Sequence, residues 1–195
     1  MHVVGQELST DIAAEYDASF AHCLLDIGGG SGIYTTAFLR SNPNLRAVIF
    51  DLDKVIPLSR KFITHQGLED RVSFVAGNFY QEELPPGCDL ALLSAIIHQN
   101  SRKENRELFT KIHRALEPGG RILIRDHIMD ETRTKPAAGA MFALNMLVNT
   151  RGGDTYTLAE VSEDLQWAGF SDIRDLRSGQ DSFERMDCLV EARRE

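Results

Sequence analysis

Residues 24–32 read Leu-Leu-Asp-Ile-Gly-Gly-Gly-Ser-Gly, an apolar run that leads directly into four glycines within five positions. Glycine has no Cβ and tolerates positive φ, so this stretch lets the backbone turn sharply and lets a ligand approach the main chain. A helix beginning near Ser31 would direct its unpaired N–H groups at whatever fills the gap. A second apolar run, Arg46 to Phe50, is followed by Asp51. That carboxylate lies about 20 residues past the glycines, where strand-turn-helix folds of this kind hold a ribose diol. Together these residues describe a nucleotide-type pocket at the head of an α/β sheet.

The spacing then selects among nucleotides. A dinucleotide fingerprint starting at Gly28 needs a third glycine at position 33, which is Ile33, and no Gly-Lys-Ser/Thr follows to grip a phosphate. Asp26 adds a carboxylate just before Gly28 and Gly30, where it would repel a pyrophosphate and attract an ammonium or a sulfonium. A ribose-bearing cation without a pyrophosphate satisfies all of these conditions, which points to S-adenosylmethionine, with S-adenosylhomocysteine as its product.

The rest of the chain alternates strand and helix. Residues 6 to 20 are read as a helix, Cys23 to Ile27 as the first strand, and 31 to 41 as a helix stopped by Asn42-Pro43-Asn44. Arg46 to Phe50 is the second strand, continuously apolar as a strand covered on both faces would be. Lys54 to Gln66 is a helix closed by Gly67, Arg71 to Ala76 the third strand and Leu90 to Leu93 the fourth. Ser101 and Glu104 have capping-box spacing ahead of a helix stopped by Pro118-Gly119-Gly120, and Arg121 to Arg125 is the fifth strand. Thr157 and Glu160 repeat the capping box before a helix ending at Gly169. Strands near Asp172 to Leu176 and Ser182 to Glu191 finish a Rossmann-like α/β fold, a seven-stranded, mainly parallel sheet with helices on both faces. Ala137 to Val148 is apolar nearly all round, so it is expected to be buried, lying over the pocket and against a second subunit in a homodimer.

Composition excludes several functions. With 195 residues the chain suits one domain, and a net charge of -8 disfavours nucleic acid. A small-molecule acceptor is the expected partner. No apolar run reaches the length of a membrane span, and Glu7, Asp11, Glu15 and Asp17 are wrong for a signal peptide, so a cytoplasmic location is expected. Cys23, Cys88 and Cys188 are odd in number, far apart and without C-x-x-C spacing, which supports neither a disulfide framework nor a metal site and suggests a reducing compartment.

Ligands in open α/β sheets bind beyond the carboxyl ends of the strands, so the residues just past each strand are the candidates. Asn78 and Phe79 follow strand three and are placed to meet an adenine edge and face. Ser94 and His98 follow strand four, and Asp126 and His127 follow strand five. An imidazole can take a proton at neutral pH, and a hydroxyl attacking a sulfonium methyl benefits from such a base. His98 is the expected base, with Asp126 orienting it. His127 is its rival, because a one-residue shift of strand five would turn it inward in place of Asp126.

The ordered set LLDIGGGSG, VIFDLDKV, VSFVAGNFYQEELP, IIHQN, LEPGGRILIRDHIMDE and RGGDTYTLAEVSEDLQWAGF resembles the class I methyltransferase domain of plant caffeate-type and bacterial small-molecule O-methyltransferases, over about residues 22 to 191. The resemblance implies a last strand running antiparallel and methyl transfer to a hydroxyl of a small aromatic acceptor. It implies that Gly28 and Gly30 approach the cofactor, that Asp51, with Leu52 beside it, holds the ribose, and that His98 stands at the base position. The family's two acidic residues that flank the histidine fall at Asp126 and near Thr155, with Asp154 adjacent. Two departures stand out: Asn78 occupies a position usually held by aspartate, and Ile97-His98-Gln99-Asn100 replaces Leu-His-Asp-Trp. The chain is expected to be a single methyltransferase domain over 1–195 without the family's N-terminal dimerisation domain, leaving Met141, Met146 and Asn149 as candidate acceptor-lining residues.

Overall fold

The computed structural model describes residues 2–177 and 188–195. Its main sheet has seven strands in the spatial order Val72–Ala76, Arg46–Asp51, Cys23–Ile27, Cys88–Ser94, Leu116–Asp126, Cys188–Arg194 and Phe170–Asp175, and its final strand in sequence runs antiparallel to both neighbours. The chain divides into two compact units, one formed by residues 1–92 and 115–120 and the other by 93–114 and 121–195.

The first unit opens with α1 (His2–Glu15) and continues through β1 (Cys23–Ile27), α2 (Ile33–Ser41), β2 (Arg46–Asp51), α3 (Ile56–His65) and β3 (Val72–Ala76). β1, β2 and β3 pair in parallel, Cys23 opposite Arg46 and Ala47 opposite Val72. Leu24, Leu25, Ile27 and Ile49 are fully buried, as central strands covered on both faces require. Tyr16 at the end of α1 meets Phe38 of α2 edge-on, with centroids 6.1 Å apart. The helix expected over 6–20 begins earlier and ends at Glu15, because Asp17 accepts the Ser19 N–H and turns the chain.

β4 (Cys88–Ser94) and β5 (Leu116–Asp126) each belong partly to both units. β5 already includes Pro118-Gly119-Gly120, which was expected to precede the strand. The reason is close backbone packing: a Cβ at Gly120 would lie 2.8 Å from the Glu117 carbonyl oxygen and 3.0 Å from that of Asp89. Cys23 and Cys88 form a disulfide with their Cα atoms 4.6 Å apart, contrary to the reading of the cysteines as unpaired. Strand adjacency joins residues 65 positions apart in sequence. The inference of a reducing compartment rested on unpaired cysteines and loses that ground.

The second unit contains α4 (Arg102–Ala115), the short β6 (Ile128–Met129), α5 (Ala137–Asn149), β7 (Tyr156–Thr157), α6 (Leu158–Trp167), β8 (Phe170–Asp175) and β9 (Cys188–Arg194). Of the last strand expected over Ser182 to Glu191, positions 182–187 lie outside the described residues, and the strand itself runs on to Arg194. α4 buries Leu108, Phe109 and Ile112, while Arg102 and Arg106 both reach the buried Asp164 of α6, at 2.7 and 2.5 Å. Both capping boxes form: Glu104 accepts the Ser101 N–H at 2.8 Å, and Thr157 and Glu160 exchange bonds in both directions.

Within this chain α5 is covered only along a narrow stripe. Only Gly139 and Met146 are buried along it, whereas Met141, Leu144, Leu147 and Val148 are 57–80% exposed. An apolar composition all round does not reveal which stripe the fold covers.

The α6 cap yields a stability prediction. Thr157→Ala removes the acceptor for the Glu160 N–H and should cost about 1 kcal/mol, read as a lower urea midpoint with unchanged slope.

Candidate functional site

The glycine turn and the end of β2 are built against each other in the first unit. Gly28 donates its N–H to the Phe50 carbonyl at 2.8 Å, and Gly30 donates to Asp51 Oδ2 at 2.8 Å. Asp51 Oδ1 accepts the Leu52 N–H at 2.7 Å, and the Ser59 hydroxyl donates to the Gly30 carbonyl. Gly30 has φ +57 with open space where its Cβ would be, so it combines a left-handed backbone with an unobstructed face. Gly32 has φ +82, and a Cβ there would sit 2.9 Å from Ile49 Cδ1, so its bareness serves packing. α2 starts just after Gly32 and has no side-chain cap at its N-terminus. A half-buried carboxylate, an open glycine face and an uncapped helix start are a fitting cradle for a ribose-bearing cation.

Asp26 lies beneath this turn and is 2% exposed. Its carboxyl accepts the Thr35 hydroxyl at 2.6 Å, and a Cβ on Gly29 would come within 2.9 Å of it. Burial pushes its pKa up to about 6, with the nearby Asp51 charge adding to the rise and the Thr35 hydrogen bond opposing it.

The other expected cofactor residues are engaged locally. Asn78 Oδ1 accepts the Tyr80 N–H at 3.0 Å, so its amide oxygen closes a turn, and the Asn78 N–H goes to Glu82. Phe79 lies against Tyr80, with centroids 4.5 Å apart, and Leu52 is exposed. In the second unit, the Ser94 hydroxyl accepts from Arg125 at 3.3 Å.

The second unit also assembles an imidazole–carboxylate pair. His98 sits in a short 3-10 turn, Ile97–Gln99, and its Nδ1 lies 2.8 and 3.0 Å from the two oxygens of Asp126, which is wholly buried. Asp126 Oδ1 also accepts the main-chain N–H of His127 at 2.8 Å. The turn is fastened from below: Asn105 donates to the Ile97 carbonyl at 3.1 Å and accepts from Asn100 at 3.0 Å, while the Tyr156 hydroxyl donates to the Asn100 carbonyl. Gly153 packs against the His98 carbonyl, where a Cβ would collide. Asp154 is not a second carboxylate for His98, since it holds Arg133 and the Thr155 N–H, and Thr155 is buried.

The side chain that meets these imidazoles is Phe142 of α5, which was not singled out from the sequence. Its ring lies 4.9 Å from that of His98 and 5.1 Å from that of His127. Of the lining residues expected on α5, Met146 is buried while Met141 and Asn149 are exposed. Its position on α5, three residues after the buried Gly139 and four before Met146, is the signal that could have identified Phe142. Among the described residues no helix is long and apolar enough to cross a membrane, and no cluster of His, Cys, Asp or Glu could hold a metal.

The sequence profile of an O-methyltransferase domain matches residues 5–171. A 3-hydroxy-5-methyl-1-naphthoate 3-O-methyltransferase of Streptomyces sahachiroi is 34% identical over 166 residues, 85% of this chain and 48% of its own length. The solved mitomycin 7-O-methyltransferase MmcR superposes with a TM-score of 0.87 at 30% identity, covering 98% of this chain and 54% of that one. Human N-acetylserotonin methyltransferase, solved in complex with SAM, gives 0.83 at 27% identity, covering 98% and 52%. The chain therefore spans about half the length of the relatives it matches.

Asp26 gives the site a pH signature. Its folded pKa of about 6 lies above the ordinary value of 3.8, so the native state holds an extra proton between these values. The stability contributed by the protonated form is complete below about pH 4 and is lost as pH rises through 6. Asp26→Asn should therefore gain on the unmodified protein by up to about 3 kcal/mol between pH 4 and 7, read as the difference of their thermal melts.

Proposed function

The chain belongs to the O-methyltransferase domain family, and from that premise we propose that it transfers the methyl group of S-adenosylmethionine to a hydroxyl of a small aromatic acceptor, with His98 as general base. The observation that carries this reading is the bond between His98 Nδ1 and the buried Asp126. A sulfonium methyl needs no activation by the protein, but the attacking oxygen does, because a neutral hydroxyl is a poor nucleophile.

The residues then take distinct parts. S-adenosylmethionine, when bound, supplies an electrophilic methyl group on a positively charged sulfur. Asp51 holds the ribose hydroxyls, using lone pairs left after its bonds to Gly30 and Leu52. The Asp26 carboxyl beneath the turn favours a cationic ligand, and bringing one near draws it towards ionisation. His98 keeps its Nδ1 proton on Asp126, which leaves Nε2 as the lone pair for the acceptor hydroxyl and stabilises the imidazolium once the proton has moved. Phe142 presents an aromatic surface beside the imidazole, suited to a flat acceptor and unfavourable for water. Asn105, Asn100 and Tyr156 set the position of the His98 turn.

The activity is tested by incubating the chain with S-adenosylmethionine and a panel of phenols and measuring S-adenosylhomocysteine release, with calorimetric binding on the same sample. Phenol-dependent release is expected. Binding without release would make this a cofactor-holding domain that performs no transfer, and absence of binding would overturn the cofactor assignment. For the cradle, Asp51→Ala should weaken S-adenosylmethionine binding about 10- to 100-fold by calorimetry, with Asp51→Asn falling between the two.

A further inference from the structure

The mechanism leaves one buried polar group unused. His127 directly follows Asp126, is 6% exposed, and has a buried Nδ1 with no hydrogen-bond partner. Buried polar atoms are nearly always paired, and a native protein that leaves one open is commonly completed by a ligand or a water. The atom is also firmly placed. Asp126 Oδ1 holds the main chain of His127 at 2.8 Å while the same carboxylate orients His98, and Phe142 contacts both rings. Two imidazoles thus meet one aromatic face, His98 bonded to the carboxylate through its ring and His127 through its main chain.

The two rings are chemically different. His98 has a carboxylate on its Nδ1, whereas His127 has none on its ring. The charged and titratable groups acting on His127 are Asp126, His98 and Arg125, and burial outweighs the favourable Asp126 charge to hold its pKa below the usual imidazole value. His127 is therefore a neutral imidazole at neutral pH, with one N–H and one lone pair to offer. Such a group recognises a polar substituent without taking its proton.

We propose that His127 is a specificity-determining residue that hydrogen-bonds a second polar substituent of the acceptor, so that the chain selects ring systems bearing another hydrogen-bonding group besides the hydroxyl it methylates. This rests on the methyltransferase reading and on His98 as the base. A buried site made to pair with such a group discriminates strongly against analogues that lack it, because the protein atom is then left unsatisfied.

The test compares 2,3-dihydroxynaphthalene with 2-naphthol in the unmodified protein, His127→Phe and His127→Gln. The unmodified protein should prefer the diol in kcat/KM. His127→Phe should lower kcat/KM for the diol about tenfold, mainly through KM, and leave 2-naphthol within about threefold, while His127→Gln should recover part of the preference. An equal loss for both acceptors, an unchanged preference, or a loss confined to kcat with an altered pH profile would overturn the proposal, the last by making His127 the base. If neither naphthalene is methylated by the unmodified protein, the methyltransferase reading is what fails. The proposal is then decided by NMR of the imidazole nitrogens: a shift of His127 with the diol and not with 2-naphthol supports it, and equal or absent shifts overturn it.

Discussion

A carboxylate with no solvent contact is the constraint around which the second unit is organised. Asp126 closes β5 at 0% exposure, and an ion so placed is costly unless its oxygens are bonded. His98 Nδ1 and the His127 N–H supply those bonds. For His98 to reach the carboxylate, β4 must end abruptly. Ala95 does this with φ 59, a left-handed conformation unusual for a residue with a side chain, while its N–H stays bonded to the Arg125 carbonyl at 2.8 Å. Asn105, Asn100, Tyr156 and Gly153 then hold the following turn in place. Strain at Ala95 and the buried polar contacts behind His98 belong together, because such a conformation persists where the surrounding bonds hold it.

The first unit solves a different problem with neutral backbone. A turn made of glycines gains little from side chains and must be braced from outside, and its braces come from β2 and α3 through Phe50, Asp51 and Ser59. The same bonds that hold the turn leave Asp51 oriented and the Gly30 face open. The glycine turn and the imidazole–carboxylate pair are thus independent constructions, each resting on contacts within its own unit, and the proposed reaction requires both.

Much of this was legible where a local pattern has one physical solution. β1 and β2 follow from their apolar runs, the starts of α4 and α6 from capping boxes, and the His98–Asp126 pair from the rule that candidate groups lie beyond strand ends. What escaped depends on adjacency that no short segment encodes. The Cys23–Cys88 bond requires knowing that the first and fourth strands lie side by side. In α5 the composition was read correctly as apolar, but which residues face inward is set by β6 and the His98 turn it packs on, so Phe142 was not singled out.

The most direct measurement is the rate of methyl transfer by His98→Ala at saturating S-adenosylmethionine between about pH 6 and 9, with cofactor binding followed calorimetrically in parallel. The account predicts unchanged cofactor binding and a transfer rate about 10²- to 10⁴-fold lower. Full transfer by His98→Ala across that range would contradict it.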